Sequence, residues 1–490
     1  MSGGALSDWL QQSLDRAGDQ PLYRQLRDLL LKAVMQGRLP AGGKMPSSRL
    51  LARELGLARN TVTEVYETLI AEGCLHGRGG SGTYVADLSA DRIQAPEFFA
   101  QVEAEAAPTL SARGKLLRAG AGFAPHQWGA FMPGVPDVSE FPTRVWSRLL
   151  SRHWRRPAPE RMTYAPSGGL PELRAAIAAH LRDARSLTCA PEQVIITTGS
   201  HQSVDLAARM LLDPGDCVWL EDPCYWGLRS GLQSLDLDLC AAPVDGEGLN
   251  CALAENLPAP RMIIVTPSHQ YPLGAVMSLA RRQTLLERAR RWGAFIVEDD
   301  YDSEFRYGTR PIACLQGLDR GGRVIYVGSF SKTLFPGLRI GYLVAPPALA
   351  DALADGSAEL YREGQQLTQA VLADFIRDGH LSAHIRRMRG LYGLRRQILR
   401  EAIETEFDGA LTASGDNAGL HLILRLPDGA DDRRISDEVL RAGIATRPLS
   451  RYFAEAEKAP AGLLLGYACV KEEAIGPAFS RLAEILRRHI

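Results

Sequence analysis

The chain has 490 residues, 56 Lys+Arg against 57 Asp+Glu and a net charge of −1. It is too long for one hydrophobic core, so at least two domains are predicted. No run of about 18 apolar residues occurs, which excludes a membrane span. Met1 to Trp9 lacks the basic and apolar regions of a signal peptide, so the cytoplasm is the expected compartment. The 8 cysteines are scattered without a CxxC pair. They read as reduced thiols, with no metal site expected.

In chain order, the first organised unit is predicted over residues 19–87. Pro21 opens a helix with an apolar face of Leu22, Leu26, Leu29, Leu30, Ala33 and Val34. Gly37-Arg-Leu-Pro-Ala-Gly-Gly breaks it. Ser47 caps a second helix. Gly56 marks a tight turn, and Asn60 to Ala71 reads as a third helix with Val62, Val65, Tyr66, Leu69 and Ile70 inward. Leu75 to Val85, rich in glycine, reads as a hairpin. Helix, short turn, helix and wing suggest a winged helix-turn-helix. Over 21–86 there are 9 Lys/Arg and 5 Asp/Glu, a local charge of +4.

Residues 88–127 mix small, acidic and proline residues without periodicity, a linker composition in which Glu97 to Ala107 could form a transient helix. From 128 to 490, strands alternate with helices. This pattern predicts an α/β domain with a mainly parallel sheet, followed by a smaller α+β subdomain. Four elements in it carry chemistry. Val194-Ile-Ile-Thr-Thr-Gly199 is a strand ending in a glycine turn. The helix that follows offers an anion site, with Ser200 and His201 at its start. Tyr225 is an aromatic able to stack on a flat ring. Ala294 to Tyr301 reads as a buried strand ending in acidic residues, with Asp299 and Tyr301 on one face. Arg323-Val-Ile-Tyr-Val-Gly delivers Ser329-Phe-Ser-Lys332, and Arg339 follows seven residues later. A desolvated lysine serves as a Schiff-base nucleophile, and Ser329 and Arg339 can anchor a phosphate. Pyridoxal 5'-phosphate (PLP) requires this set: an imine lysine, a phosphate anchor, and an acid facing the ring nitrogen.

Together these elements resemble the fold-type I aminotransferases, with Lys332 as the cofactor lysine. That resemblance implies that Asp299 faces the ring nitrogen and Tyr301 the ring's phenolic oxygen. It also implies that Tyr164 reaches the phosphate of a partner subunit's cofactor. The run from Leu39-Pro-Ala-Gly through Pro-Ser-Ser-Arg-Leu-Leu-Ala-Arg-Glu-Leu to Gly-Ser-Gly-Thr-Tyr-Val85 resembles the winged helix of GntR regulators. By that resemblance Ser48, Arg49, Arg59, Asn60, Thr61 and Thr63 meet double-stranded DNA, with Arg78 and Gly80 on the wing. Arginine and asparagine suit base edges, and threonine suits phosphates.

A GntR winged helix joined by a long linker to such a domain resembles the MocR family of transcriptional regulators. That resemblance implies a PLP-dependent, domain-swapped homodimer. It would sense an amine or amino acid effector by external aldimine formation at Lys332 and control genes of amino acid, amine or vitamin B6 metabolism. The alternative is a working aminotransferase with an appended DNA-binding domain. Two departures weigh against it. Tyr271-Pro-Leu-Gly stands where aminotransferases carry Asn-Pro-x-Gly, and Leu464 stands where they carry the arginine that clamps a substrate carboxylate. A carboxylate facing leucine is desolvated without a partner. Arg447, Arg451 and Arg306 are the candidate replacements.

Overall fold

The computed structural model describes residues 3–490 apart from 17, 19, 79–80, 88–108, 121–127, 308–312, 363 and 416. Gly80 and the helix expected at 97–107 lie outside the described residues. The chain divides into two units, Met1–Thr109 and Leu110–Ile490.

The first unit comprises α1 (Gly3–Ser13), α2 (Leu22–Met35), α3 (Ser48–Leu55), α4 (Arg59–Ala71) and the hairpin β1 (Leu75–Arg78) with β2 (Gly82–Val85). Ser47 caps α3 by accepting the Leu50 N–H at 3.2 Å. Gly56 ends it at φ 62, a left-handed conformation that costs glycine no Cβ clash. On α4, Val62, Val65, Tyr66 and Leu69 are buried, and the Tyr66 hydroxyl donates to the Pro46 carbonyl at 2.9 Å. Ile70, expected inward, is 39% exposed. It sits roughly 80° around the helix from Val62, beyond the edge of the buried stripe. Helix α1 was not anticipated. Leu6, Leu10 and Leu14 recur every four residues and join the core of this unit, with Leu10 fully buried. The glycines that open the helix obscure that spacing.

The second unit is built on an eight-stranded sheet. Its members are β3 (Val194–Thr197), β4 (Cys217–Asp222), β5 (Asp238–Asp245), β6 (Gly248–Leu249), β7 (Met262–Val265), β8 (Phe295–Asp300), β9 (Val324–Ser329) and β10 (Gly341–Val344). The order is β3-β10-β9-β8-β7-β4-β5-β6. Strand β10 runs antiparallel between β3 and β9, whereas the pairs from β9 through to β5 are parallel. Every residue of β3, β7 and β10 is buried, as expected when helices cover both faces.

A smaller antiparallel sheet follows, made of β11 (Ala413–Ser414), β12 (His421–Arg425), β13 (Arg447–Pro448) and β14 (Gly462–Gly466), in the order β11-β12-β14-β13. Its strands alternate. Leu422, Leu424, Leu463 and Leu465 pack with Leu399 and Phe479 from the helices His380–Phe407 and Glu472–Leu486. Ile423 and Leu464 instead join Leu449 and Tyr452, against which Trp226 and Tyr271 pack. Period-two geometry assigns these two sets to opposite faces of the sheet. Where an aperiodic linker was expected, Ala112–Gly120 forms a helix, α5. Tertiary contact explains it: α5 packs on the helix α6 (Trp226–Gln233), and Arg113 pairs with Asp236 at 2.9 Å.

Truncating Leu10 to alanine should cost about 2–5 kcal/mol of stability in the first unit, against less than about 1 kcal/mol for Ile70→Ala. Urea denaturation of the two variants beside the parent chain checks this. Equal losses would mean that α1 contributes nothing to that core.

Candidate functional site

In the second unit, residues at the ends of β3, β4, β8 and β9 line a cavity of 1240 Å³. Alternation along β8 decides what faces it. Glu298 accepts the backbone N–H groups of Leu315 and Gln316, each at 3.0 Å, and lies 3.5 Å from Arg282. Asp300 pairs with Arg185 at 2.5 Å and accepts the Tyr326 hydroxyl at 2.6 Å. Asp299, between them, lines the cavity. Ser200 donates a hydrogen bond to its carboxylate, yet Oδ1 is buried with no partner among the described residues. Burial pushes this carboxyl up to about 7, against the Ser200 hydrogen bond. An unsatisfied buried acceptor costs about 1–3 kcal/mol, so the position suits a donor supplied by a ligand.

Lys332 is half-buried, and its Nζ donates to the Gly134 carbonyl at 2.6 Å. Burial lowers its pKa, although Asp302 and Asp299 pull the other way. A neutral amine is thereby easier to reach, which is what a nucleophilic lysine needs. Gly134 has φ 71, and a Cβ there would stand 3.1 Å from the lysine nitrogen. Ser200, Ser329 and Arg339 line the same cavity. Gly199 leads at φ 137 into the twelve-residue helix that begins at Ser200. Arg339 is exposed in a left-handed conformation, φ 52. A helix N-terminus, hydroxyls and a guanidinium form a donor set for an anion such as a phosphate.

The remaining expected residues are placed less uniformly. His201 lines the cavity, but its Nε2 is engaged with the Gly227 carbonyl at 2.8 Å. Tyr225 also lines it and meets His201 and Tyr271 edge-on, with ring centroids 6.4 and 6.2 Å apart. The Tyr301 hydroxyl is turned to His269, donating to its carbonyl at 3.0 Å and lying 2.9 Å from Nδ1. His269 in turn pairs with Asp302 at 3.1 Å. Tyr164 is 82% exposed and lies outside the cavity lining.

Of the three arginines considered as replacements, only Arg447 lines the cavity. Arg306 donates to the Ser268 carbonyl at 2.5 Å, and Arg451 stacks over the Trp226 ring at 4.5 Å. Gly134, Asp302 and His269 had no assigned role at the sequence level. Their phrases were legible, but the meeting of Gly134 with the lysine and of His269 with Asp302 is a tertiary event.

In the first unit, Arg49, Arg59, Asn60 and Arg78 are exposed, while Ser48, Thr61 and Thr63 are half-buried. The Thr63 hydroxyl donates to the Arg59 carbonyl at 3.0 Å. On the hairpin, Arg78 lies 4.9 Å from the centre of the Tyr84 ring and Lys44 5.9 Å. Lys44 was not anticipated. An isolated bridge to Tyr84 brings it to the hairpin from the segment before α3.

Comparison with known proteins agrees with this division. Residues 22–85 match the family of bacterial regulatory proteins of the gntR type, and residues 139–481 match aminotransferase class I and II. The chain is 41% identical to "Probable rhizopine catabolism regulatory protein MocR" of Rhizobium meliloti, over 93% of this chain and 92% of that protein. It is 33% identical to "HTH-type pyridoxine biosynthesis transcriptional regulator PdxR" of Corynebacterium glutamicum, over 92% and 93%. Among solved structures, it is similar to kynurenine aminotransferase of Pyrococcus horikoshii in complex with PMP. The TM-score is 0.69 and the identity 26%, over 80% of this chain and 99% of that one.

The raised Asp299 carboxyl has a consequence for pH. Its folded value of about 7 exceeds the ordinary 3.8, so the folded chain holds a proton that the unfolded chain has released. Its contribution to stability is therefore present at low pH and declines as pH rises between those values. Asp299→Asn in ligand-free protein should raise the melting temperature at pH 8 by roughly 2–4 °C and leave it little changed at pH 4. An equal shift at both pH values would show that burial does not hold the proton on this group.

Proposed function

Because the chain belongs to the MocR family, a GntR-type DNA-binding domain joined to a class I and II aminotransferase domain, we propose that it is a PLP-dependent transcriptional regulator that senses a small amine or amino acid. The observation that carries the reading is the pairing of Lys332, with its lowered pKa, and the orphaned Oδ1 of Asp299 in one cavity. A pyridine nitrogen that carries a proton is the donor Asp299 lacks. Lys332 would hold the cofactor covalently, Tyr225 would cover its ring, and Ser200, Ser329 and Arg339 would hold its phosphate. When bound, PLP supplies an electrophilic carbon for primary amines.

The chain's own residues then set the response. Lys332, whose pKa burial lowers, would be the amine an effector replaces, and the Gly134 carbonyl is positioned to receive the released Nζ. Differential affinity of the effector for two arrangements of the second unit supplies the regulatory energy. The exposed Tyr164 supports a homodimer in which it is completed by a second copy. Two copies present two winged helices, and their spacing selects the operator half-sites. The first unit reads DNA through Arg59 and Asn60 at the start of α4, and Arg78 reaches the backbone from the hairpin. Genes of amino acid, amine or vitamin B6 metabolism are the proposed targets. Leu464 supports regulation over catalysis. Without an arginine there, an α-carboxylate is not clamped to align the Cα–H bond, and lost positioning lowers proton-transfer rates by orders of magnitude.

Two measurements test this reading. Borohydride reduction followed by peptide mass spectrometry should find a pyridoxyl group on Lys332, and its absence there overturns the cofactor assignment. Arg59→Ala should weaken operator binding about tenfold or more without changing that labelling, because a base-edge contact is worth roughly 1–3 kcal/mol. Unchanged operator affinity would remove α4 from the reading surface.

A further inference from the structure

The register of the smaller sheet sets an arginine directly opposite the position where the carboxylate clamp is missing. Leu464 on β14 pairs directly with Arg447 on the edge strand β13. Side chains of directly opposed residues in an antiparallel pair stand on the same face, with Cβ atoms roughly 4.5–5.5 Å apart. Leu464 is fully buried in an apolar cluster and does not line the cavity, whereas Arg447 does. We propose that Arg447 is the anion anchor of the effector site, an arginine carried one strand outward from the position where aminotransferases place theirs, and that the effector is a primary amine bearing a negatively charged group.

Three observations support this. First, Arg447 is half-buried, and among the described residues no carboxylate pairs with it. Among the described residues, the one hydrogen-bond contact of its guanidinium is with the Met132 sulfur, at 3.7 Å. A partly desolvated guanidinium without an anion is a costly arrangement that a bound carboxylate or sulfonate relieves. Second, its neighbours reinforce the positive field. The charges of Arg447 and Arg433 both act on Arg451, which itself is spent on Trp226. Third, the charge of Arg447 acts on the hydroxyls of Tyr225 and Tyr271, and both rings line the cavity. The cavity thus offers a lysine whose cofactor imine would receive an amine, and a separate cationic group on its wall. Such a distribution recognises a zwitterion by its two ends.

This inference rests on the cofactor reading above, and one titration separates the two. The PLP-loaded protein is titrated with 3-aminopropanoate, 5-aminopentanoate and 3-aminopropanesulfonate, and with propylamine and pentylamine as neutral counterparts, following the shift of the cofactor absorbance band. If the parent chain shows no cofactor band and no pyridoxyl-Lys332, the cofactor reading fails, and this inference fails with it. If the band is present, at least one anionic amine should bind about tenfold or more tightly than its neutral counterpart. Arg447→Met should reduce that ratio below about threefold, by weakening the anionic amine. Arg447→Lys, which keeps the charge without the fork, should retain part of the preference. Equal binding of neutral and anionic amines by the parent chain overturns the proposal, and so does a preference that survives in Arg447→Met. The carboxylate and sulfonate arms then show which anion the site favours.

Discussion

The site depends on the register of one strand. Along β8, Glu298 and Asp300 are held by Arg282 and Arg185, and Asp299 is thereby left facing the cavity. Buried ion pairs are weak evidence for stability in themselves, but removing one partner strands a charge in the interior. Their consequence here is positional. A slip of one residue would turn Asp299 away and bring Glu298 or Asp300 into the cavity, and neither arginine would then meet its partner. The chain tolerates an orphaned acceptor at Asp299 Oδ1 because the surrounding pairs over-determine where that carboxylate points.

The lysine is placed by different means. Lys332 lies just beyond the end of β9, and the carbonyl that meets it belongs to Gly134, almost two hundred residues earlier in the chain. Glycine is required there because the backbone has positive φ and approaches the ammonium closely. A further part of the wall comes from the smaller sheet, whose β13 presents Arg447 and whose following turn presents Tyr452 to the cavity, while the sheet's other face packs on helices. A cavity with walls from two sheets changes shape whenever those sheets move relative to each other. That geometry suits a sensor as well as an enzyme, and aminotransferases are the structural neighbours of this unit.

Two positions depart from what the aminotransferase resemblance implies. Leu464 removes a guanidinium from one strand, and Arg447 offers one on the next. Tyr271, where that resemblance expects an asparagine, shares a hydrogen bond between its hydroxyl and that of Tyr452 at 3.2 Å. Neither change disturbs the lysine, the acid or the anion-binding end of the cavity.

The sequence by itself determined the division into a winged helix-turn-helix and an α/β aminotransferase-like fold, because helix and strand periodicities, the Ser47 cap and the glycine turns are local signals. It also marked Lys332, Asp299 and Arg339 by the chemistry of their neighbours. Tertiary structure alone decided the rest. Helix α5 forms in a stretch without periodicity because α6 offers it a packing partner. Ile70 turns outward because the rest of the core already fills the inward face of α4. Tyr301 gives its hydroxyl to His269, a residue thirty-two positions away that β7 and its following loop bring beside it. Arg447 is singled out from Arg451 and Arg306 by its place on the cavity wall and its register with Leu464. Periodicity is written in neighbours along the chain, whereas a cavity is written in pairs far apart in sequence, and their meeting is settled by strand order and register.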